Sequence, residues 1–264
     1  MKKVCIIGCF ADTFDLLNGQ TVKTKIVYKE LEKSIGCDEV MKIDTYGGVK
    51  TLVKTPIIVL NALKSAQNII ILPAENGLRI IVPFLIGLNR VFKRNIYYDV
   101  IGGWLPEFVK KRKWLGIFLK KINSIFVETS SMKEQLKSQG YNNIEVIPNC
   151  KELDILDAKT IKYTGIKPYR LCTFSRVTKE KGIEELFYAV RRLKEENEDF
   201  VLDLAGFFED IYKKQVEELE QLGIAHFYGF QSDPRPFYAE ADCVVLPSYH
   251  EGMSNVLMEA SATG

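Results

Sequence analysis

The chain has 264 residues, with 36 Lys and Arg against 34 Asp and Glu, and so a formal net charge of +2. That balance excludes a strongly basic nucleic-acid binder and a polyacidic tail. Hydrophobic residues at 47% and charged residues at 27% are a globular composition, and the length allows two domains or one large one.

The amino terminus, MKKVCIIGCF, starts like a secretory signal but turns polar at Asp12 before any small-residue cleavage site, so it reads as a first strand. Short runs rich in Val and Ile then alternate with longer amphipathic stretches, the pattern of a parallel sheet covered by helices. The predicted strands of the first half are 3–8, 39–44, 68–72, 95–101, 124–128 and 143–147. Thr129, Ser130 and Ser131 supply an N-cap for a helix that stops at Gly140. The most apolar stretch, 80–88, is too short to span a bilayer, so the chain reads as soluble or at most peripheral at the inner face of the cell membrane, and its cysteine usage reads as cytosolic.

A polar stretch bracketed by Pro148 and Pro168 has no periodicity and reads as a linker. A second series follows: strand 170–174, helix 182–196, strand 200–205, helix 210–222, strand 225–228, short helix 234–239, strand 243–246 and a helix from Ser254. The expected fold is therefore α/β, with two Rossmann-like, doubly wound parallel-sheet domains facing a cleft. Their bounds are 1–149 and 169–264, with the linker at 150–168. Six cysteines, at 5, 9, 37, 150, 172 and 243, form no Cys-x-x-Cys pair and read as reduced core residues. His226 and His250 have no second ligand at metal spacing, so no metal site is expected. The loop after the first strand, GCFADTFDLLNG, lacks the glycine pattern of a nicotinamide enzyme.

Two segments concentrate chemistry. In PSYHEGMSNVLMEASATG, Glu251 lies in the loop after a strand, Ser254 is a natural N-cap, and Glu259 falls in the following helix. The helical rise puts the two carboxylates roughly 8 to 12 Å apart with the helix N-terminus between them. Free N–H groups there suit a diphosphate, and each carboxylate suits sugar hydroxyls. In FSRVTKEKGIEEL, Arg176 and Lys181 flank another loop that opens a helix, where two cations can converge on a phosphate leaving group. On spacing alone, solvated glutamates and a solvated basic loop read as well. His250 reads as a loop residue, and Asp203 and Asp242 read as strand-end residues.

In this order and separation, the two segments resemble the retaining glycosyltransferases of family 4 (group 1), which have the GT-B fold. The likeness runs through SRVTKEKG, AGFFED, FYGF and PFYAEADCVVLPS to the Glu-x7-Glu motif at Glu251 and Glu259. Asn18-Gly19-Gln20-Thr21 stands where the family has its Gly-rich loop, and GQTVKTK and VIGGWLPEF are similar to enzymes of bacterial capsular or exopolysaccharide assembly. The resemblance implies transfer of a hexose from a nucleotide diphosphate sugar to a saccharide, lipid-linked acceptor, with retention and without a metal or other cofactor. It gives Glu251 the donor sugar hydroxyls, Glu259 the ribose, Arg176 and Lys181 the diphosphate, and Gly19 the phosphate from the opposite domain. The backbone at Gly252, Met253 and Ser254 adds anion contacts, and Asn255 and Val256 line the pocket. Residues 1–225 hold no histidine for the acceptor side, where Gly102-Gly103 or Asp99 takes that place. The family's second domain continues past EASATG, so relative to it this chain is C-terminally truncated. The alternative is a non-catalytic fragment or pseudoenzyme that binds a nucleotide sugar or a partner. An epimerase of the same fold would want acid–base residues in the cleft, and this sequence shows none at such a place.

One segment stands outside that resemblance. PEFVKKRKWLGIFLKKI, 106–122, sets Lys110, Lys111, Arg112, Lys113, Lys120 and Lys121 among Phe108, Val109, Trp114, Leu115, Phe118 and Leu119. As one helix it suits an anionic membrane surface; as a sheet-covering helix it keeps only a solvated basic face.

Overall fold

A computed structural model of the chain describes residues 1–12, 19–47, 53–151, 153, 155 and 165–263. Backbone contacts divide it into two units, Met1–Cys150 and Lys151–Gly264. Much of the expected linker, 152, 154 and 156–164, lies outside the described residues.

The first unit runs β1 (Lys2–Gly8), α1 (Gly19–Ile35), β2 (Val40–Asp44), α2 (Thr55–Ser65), β3 (Ala66–Leu72), α3 (Glu75–Phe92), β4 (Asn95–Asp99), α4 (Leu105–Lys111), α5 (Lys113–Leu119), β5 (Ser124–Val127), α6 (Ser130–Ser138) and β6 (Ile144–Val146). All pairings are parallel, in the order β2-β1-β3-β4-β5-β6. Because a parallel sheet is covered on both faces, β1 is apolar nearly throughout, with Cys5, Ile6 and Ile7 fully buried. One face packs α2 to α6 around Val59, Leu63, Leu78, Leu85, Leu115 and Leu136. The other packs α1 through Val27, Tyr28 and Leu31 against Ile6, Phe10 and Val40. Each fully buried Leu or Ile contributes about 1.5–3 kcal/mol. The Thr129 hydroxyl caps α6 by accepting Met132 N–H at 3.3 Å.

Two expectations need correction. The segment 106–122 is two helices broken at Arg112, whose φ of −130° and ψ of 63° leave the helical region. On a continuous helix Lys110 and Lys113 would be like-charged i,i+3 neighbours, and at the break Arg112 turns its guanidinium over the Phe108 ring at 4.2 Å. Phe108, Val109, Leu115 and Leu119 are core residues, while Trp114 and Ile117 are exposed. The cysteines are also not uniformly core: Cys5 and Cys172 are buried, but Cys37, Cys150 and Cys243 are exposed.

The second unit runs β7 (Tyr169–Phe174), α7 (Ile183–Glu195), β8 (Phe200–Ala205), α8 (Lys213–Gln221), β9 (Ala225–Gly229), α9 (Arg235–Glu240), β10 (Cys243–Val244) and α10 (Asn255–Thr263). Its parallel sheet has the order β10-β7-β8-β9 around a core of Leu202, Leu204, Ile183, Phe187, Val216 and Leu219. The chain steps outward from β7 to β9 and then returns to the other side of β7. That reversal makes β7/β10 a topological switch point, where the loops on either side diverge and leave a crevice at the carboxyl ends of the strands.

Candidate functional site

The loops after β7 and β10 meet at this switch point. Gly182 ends the first loop with φ +68°, and a Cβ there would lie 2.1 Å from the Pro247 carbonyl oxygen in the second. Gly206, after β8, has φ +147°, and a Cβ there would lie 1.9 Å from the Ser175 carbonyl oxygen. Only glycine allows both the left-handed backbone and the approach. Tyr249 N–H donates to the Glu180 carbonyl at 3.1 Å, tying the two loops together.

The side chains expected to carry chemistry are gathered by this contact. Lys181 Nζ donates to Glu251 Oε1 at 2.5 Å, both side chains being partly buried. Gly252, Met253 and Ser254 follow directly. Ser254 immediately precedes α10, and its carbonyl accepts Met258 N–H at 3.1 Å. Asn255 and Val256 are the first residues of α10, so the positive end of the helix dipole lies at the loop. Arg176 stands in the same loop as Lys181, exposed. Thr178 Oγ1 and Ser248 Oγ, one in each loop, are buried without a hydrogen-bond partner among the described residues. Gly19 opens α1 in the first unit and is described there by itself.

Glu259 is more deeply set than a solvated helix glutamate, at 7% exposed. Lys151 Nζ donates to its Oε1, and the Tyr238 hydroxyl donates to its Oε2 at 3.2 Å. Burial, then the neighbouring Glu259 carboxylate, pushes the Tyr238 hydroxyl far above its ordinary pKa, so the phenol stays a donor. Phe174, at the end of β7, packs against Tyr238 with ring centroids 5.9 Å apart. A cavity of about 670 Å³ is lined by Lys151, Gly252, Met253, Ser254, Leu257 and Ser261 among others. Two lysine–glutamate pairs therefore flank the N-terminus of α10, with alternating charges suited to a ligand carrying both phosphates and hydroxyls.

Three parts of this region were not singled out from the sequence. Lys151 sat in the expected linker, Tyr238 in a short helix, and Phe207 and Phe230 after two separate strands. Those two rings stack at 4.8 Å with an interplanar angle of 11°, both exposed, beyond β8 and β9. At roughly 5 Å per strand, the pair stands on the order of 10 Å along the sheet edge from the β7 loop. Asp203 and Asp242, by contrast, serve the sheet: Asp203 Oδ2 accepts Arg170 Nη2 at 2.6 Å, and Asp242 accepts Arg170 N–H at 2.8 Å. His250 is exposed.

The first unit carries its own charged cluster at its carboxyl ends. Buried Lys23 on α1 pairs with Asp99 at 2.9 Å and Glu128 at 3.1 Å, and donates to the Val100 carbonyl at 3.1 Å. Burial raises the Asp99 pKa, against the opposing pull of Lys23. One ammonium thus balances two buried carboxylates; Asp99 is buried rather than open to solvent, and it is Glu128 whose Oε2 accepts the Gly102 N–H at 3.3 Å.

Comparisons with known proteins agree with this geometry. Residues 159–264 match the family described as glycosyl transferases group 1. The lipopolysaccharide core biosynthesis glycosyltransferase LpsE of Rhizobium meliloti is 36% identical over 153 residues, 56% of this chain and 44% of LpsE. The N,N'-diacetylbacillosaminyl-diphospho-undecaprenol alpha-1,3-N-acetylgalactosaminyltransferase of Campylobacter jejuni is 28% identical over 181 residues, 67% of this chain and 47% of that protein. The chain thus spans about half the length of these relatives. Among solved structures, Anabaena Alr3699/HepE in complex with UDP superposes with a TM-score of 0.66 at 16% identity, covering 100% of this chain and 79% of HepE. The fold is that of the GT-B glycosyltransferases.

Proposed function

We propose that the chain belongs to an enzyme that transfers a hexose from a nucleoside diphosphate sugar to a saccharide acceptor that is lipid-linked, with retention at the anomeric carbon, in surface polysaccharide assembly. The observation that carries this reading is the paired arrangement of Lys181–Glu251 and Lys151–Glu259 about the start of α10, at the switch point of the second sheet. Glu251 accepts the donor sugar hydroxyls and Glu259 the ribose hydroxyls. Arg176, Lys181 and the N–H groups around Gly252, Met253 and Ser254 hold the diphosphate. Asn255 and Val256 line the same pocket, and the stacked Phe207 and Phe230 offer an aromatic surface to the base.

No protein nucleophile is required. The departing β-phosphate oxygen accepts the proton of the incoming acceptor hydroxyl as the anomeric C–O bond to phosphate breaks and the new glycosidic bond forms on the same face. The protein's part is positioning and electrostatic stabilisation of the charge that develops on the phosphate, by cations rather than a metal. The names of the relatives, one acting in lipopolysaccharide core assembly and one on a diphospho-undecaprenol acceptor, support a lipid-linked saccharide and a cytoplasmic, membrane-adjacent location. The other reading is a chain that binds a nucleotide sugar without turnover. A screen for release of nucleoside diphosphate from a panel of nucleotide sugars, with and without a lipid-linked acceptor, tests the proposal. Release only on acceptor addition supports transfer, and tight binding without release supports the second reading.

A further inference from the structure

Both oxygens of the Glu259 carboxylate already have a donor within the chain. Lys151 Nζ donates to Oε1, and the Tyr238 hydroxyl donates to Oε2 at 3.2 Å. The Lys151 side chain is 29% exposed while that of Glu259 is nearly closed off from water. Among the described residues that line the cavity beside α10, Lys151 is present with Gly252, Met253 and Ser254, and Glu259 is absent. Lys151 therefore stands between the cavity and the carboxylate, and a ligand in the cavity that offers hydroxyls to Glu259 meets the ammonium first.

Of the two donors, Lys151 is the one that can give way. Tyr238 is buried, with its ring against Phe174, and losing Glu259 would leave its hydroxyl without its described partner, at the full cost of an unsatisfied buried donor. The lysine ammonium sits on a flexible four-carbon stem and is strongly hydrated, so it can turn out into the cavity and be satisfied by water. Its departure uncovers an acceptor-only carboxylate in a buried setting, which needs new donors in the same place. Two hydroxyls on adjacent carbons supply them; a ligand with phosphates alone has none to offer.

We infer that Lys151 is a specificity-determining residue, a plug on Glu259 that yields to a ligand carrying two adjacent hydroxyls. Ribose recognition is then an exchange of donors on the carboxylate rather than an addition to it. The inference rests on the reading of Glu259 as the ribose carboxylate and goes beyond it in the sign it predicts. A cation that only attracts the diphosphate weakens binding when removed, whereas removal of the plug tightens the binding of an anionic ligand.

Calorimetric titration of UDP and GDP, and of their dideoxy forms that lack both ribose hydroxyls, tests this in the parent, Lys151→Met and Lys151→Arg. For the nucleotide that the parent prefers, Lys151→Met should bind about fivefold more tightly, the gain on removing a plug closed in about four fifths of free molecules. Its affinity for the dideoxy form should be unchanged. Lys151→Arg keeps a cation, with a fork matched to a carboxylate, and should bind no more tightly than the parent. A readout that needs no variant is acetylation of the parent's lysines by a succinimidyl ester, followed by mass spectrometry. Labelling of Lys151 should rise severalfold with saturating nucleotide and stay level with the dideoxy form. Unchanged or weaker binding by a folded Lys151→Met, an equal gain for the dideoxy form, or protection of Lys151 on nucleotide binding would overturn the inference while leaving Glu259 as the ribose carboxylate. Equal affinity of the parent for the nucleotide and its dideoxy form would overturn the reading of Glu259, and the plug with it.

Discussion

The contact between the β7 and β10 loops can be tested through Gly182→Ala. The new Cβ would sit 2.1 Å from the Pro247 carbonyl oxygen, well inside any tolerated approach, and the backbone would have to hold φ +68° with a side chain present. The conformational part costs about 1–2 kcal/mol. The steric part requires the loops to separate by roughly 1 Å, in the range of overpacking at about 1–3 kcal/mol. Separation would strain the Tyr249–Glu180 bond and the Lys181–Glu251 pair together. Gly223→Ala supplies the control, because Gly223 has φ +64° but nothing within 4 Å of its Cβ position. Both variants should share the conformational cost, and Gly182→Ala alone should lose a further 1–3 kcal/mol, by the overpacking range, in urea unfolding of the second unit. It alone should also weaken nucleoside diphosphate binding about tenfold or more. Equal unfolding midpoints and equal affinities for the two variants would refute the claim that these loops build the site by contact.

In the proposed transfer reaction, Arg176→Ala and Lys181→Ala should each lower kcat by roughly 10² to 10³, as for loss of one contact to developing charge; a change confined to KM in steady-state kinetics would show that they only bind. Lys23→Met leaves Asp99 and Glu128 buried without their cation and should destabilise the first unit by about 3–5 kcal/mol, whereas Asp99→Asn, which leaves Lys23 paired with Glu128, should cost far less. Urea melts giving the two variants the same midpoint would contradict the pairing. Tyr238 has its folded pKa raised by burial and Glu259, so its contribution is fully present below the unfolded tyrosine pKa near 10 and is lost as pH rises above it. Unfolding of the second unit at alkaline pH should therefore begin later in Tyr238→Phe than in the parent, and an unchanged profile by circular dichroism would show that Tyr238 does not contribute.

Much of the fold was legible because a buried parallel strand writes its burial directly into sequence. Runs such as VCIIG and NIIIL can only be interior, and Gly, Pro and capping residues mark where each run stops. The loop residues Lys181, Glu251 and Ser254 were legible for a related reason: each follows a strand and opens a helix, so local sequence fixed its place. The partners of Glu259 were not. Lys151 lies 108 residues away from it and Tyr238 lies 21 residues away, and no periodicity joins them; the pairing exists only through the packing of α9 and α10 beside the sheet. The break at Arg112 was hidden because Phe108, Val109, Leu115 and Leu119 share one face under helical spacing whether or not the helix is continuous. The basic outer layer of the first unit was half visible, since the cations of 106–122 are adjacent in sequence while α3 and α5 come together only in the packed fold.

The central claim is that Glu259, with Glu251 and the lysines around α10, forms a nucleoside diphosphate sugar site. Calorimetric titration of UDP and GDP into the parent and into Glu259→Gln tests it most directly. If the carboxylate accepts both ribose hydroxyls, the variant should lose about 1.5–3 kcal/mol, a rise in Kd of roughly 10- to 150-fold for the nucleotide that the parent prefers. Its fold should be intact by circular dichroism, because the amide oxygen can still accept the Tyr238 hydrogen bond. Equal affinity of parent and variant for the preferred nucleotide would contradict the assignment of Glu259, and no binding of either nucleotide by the parent would contradict the site itself.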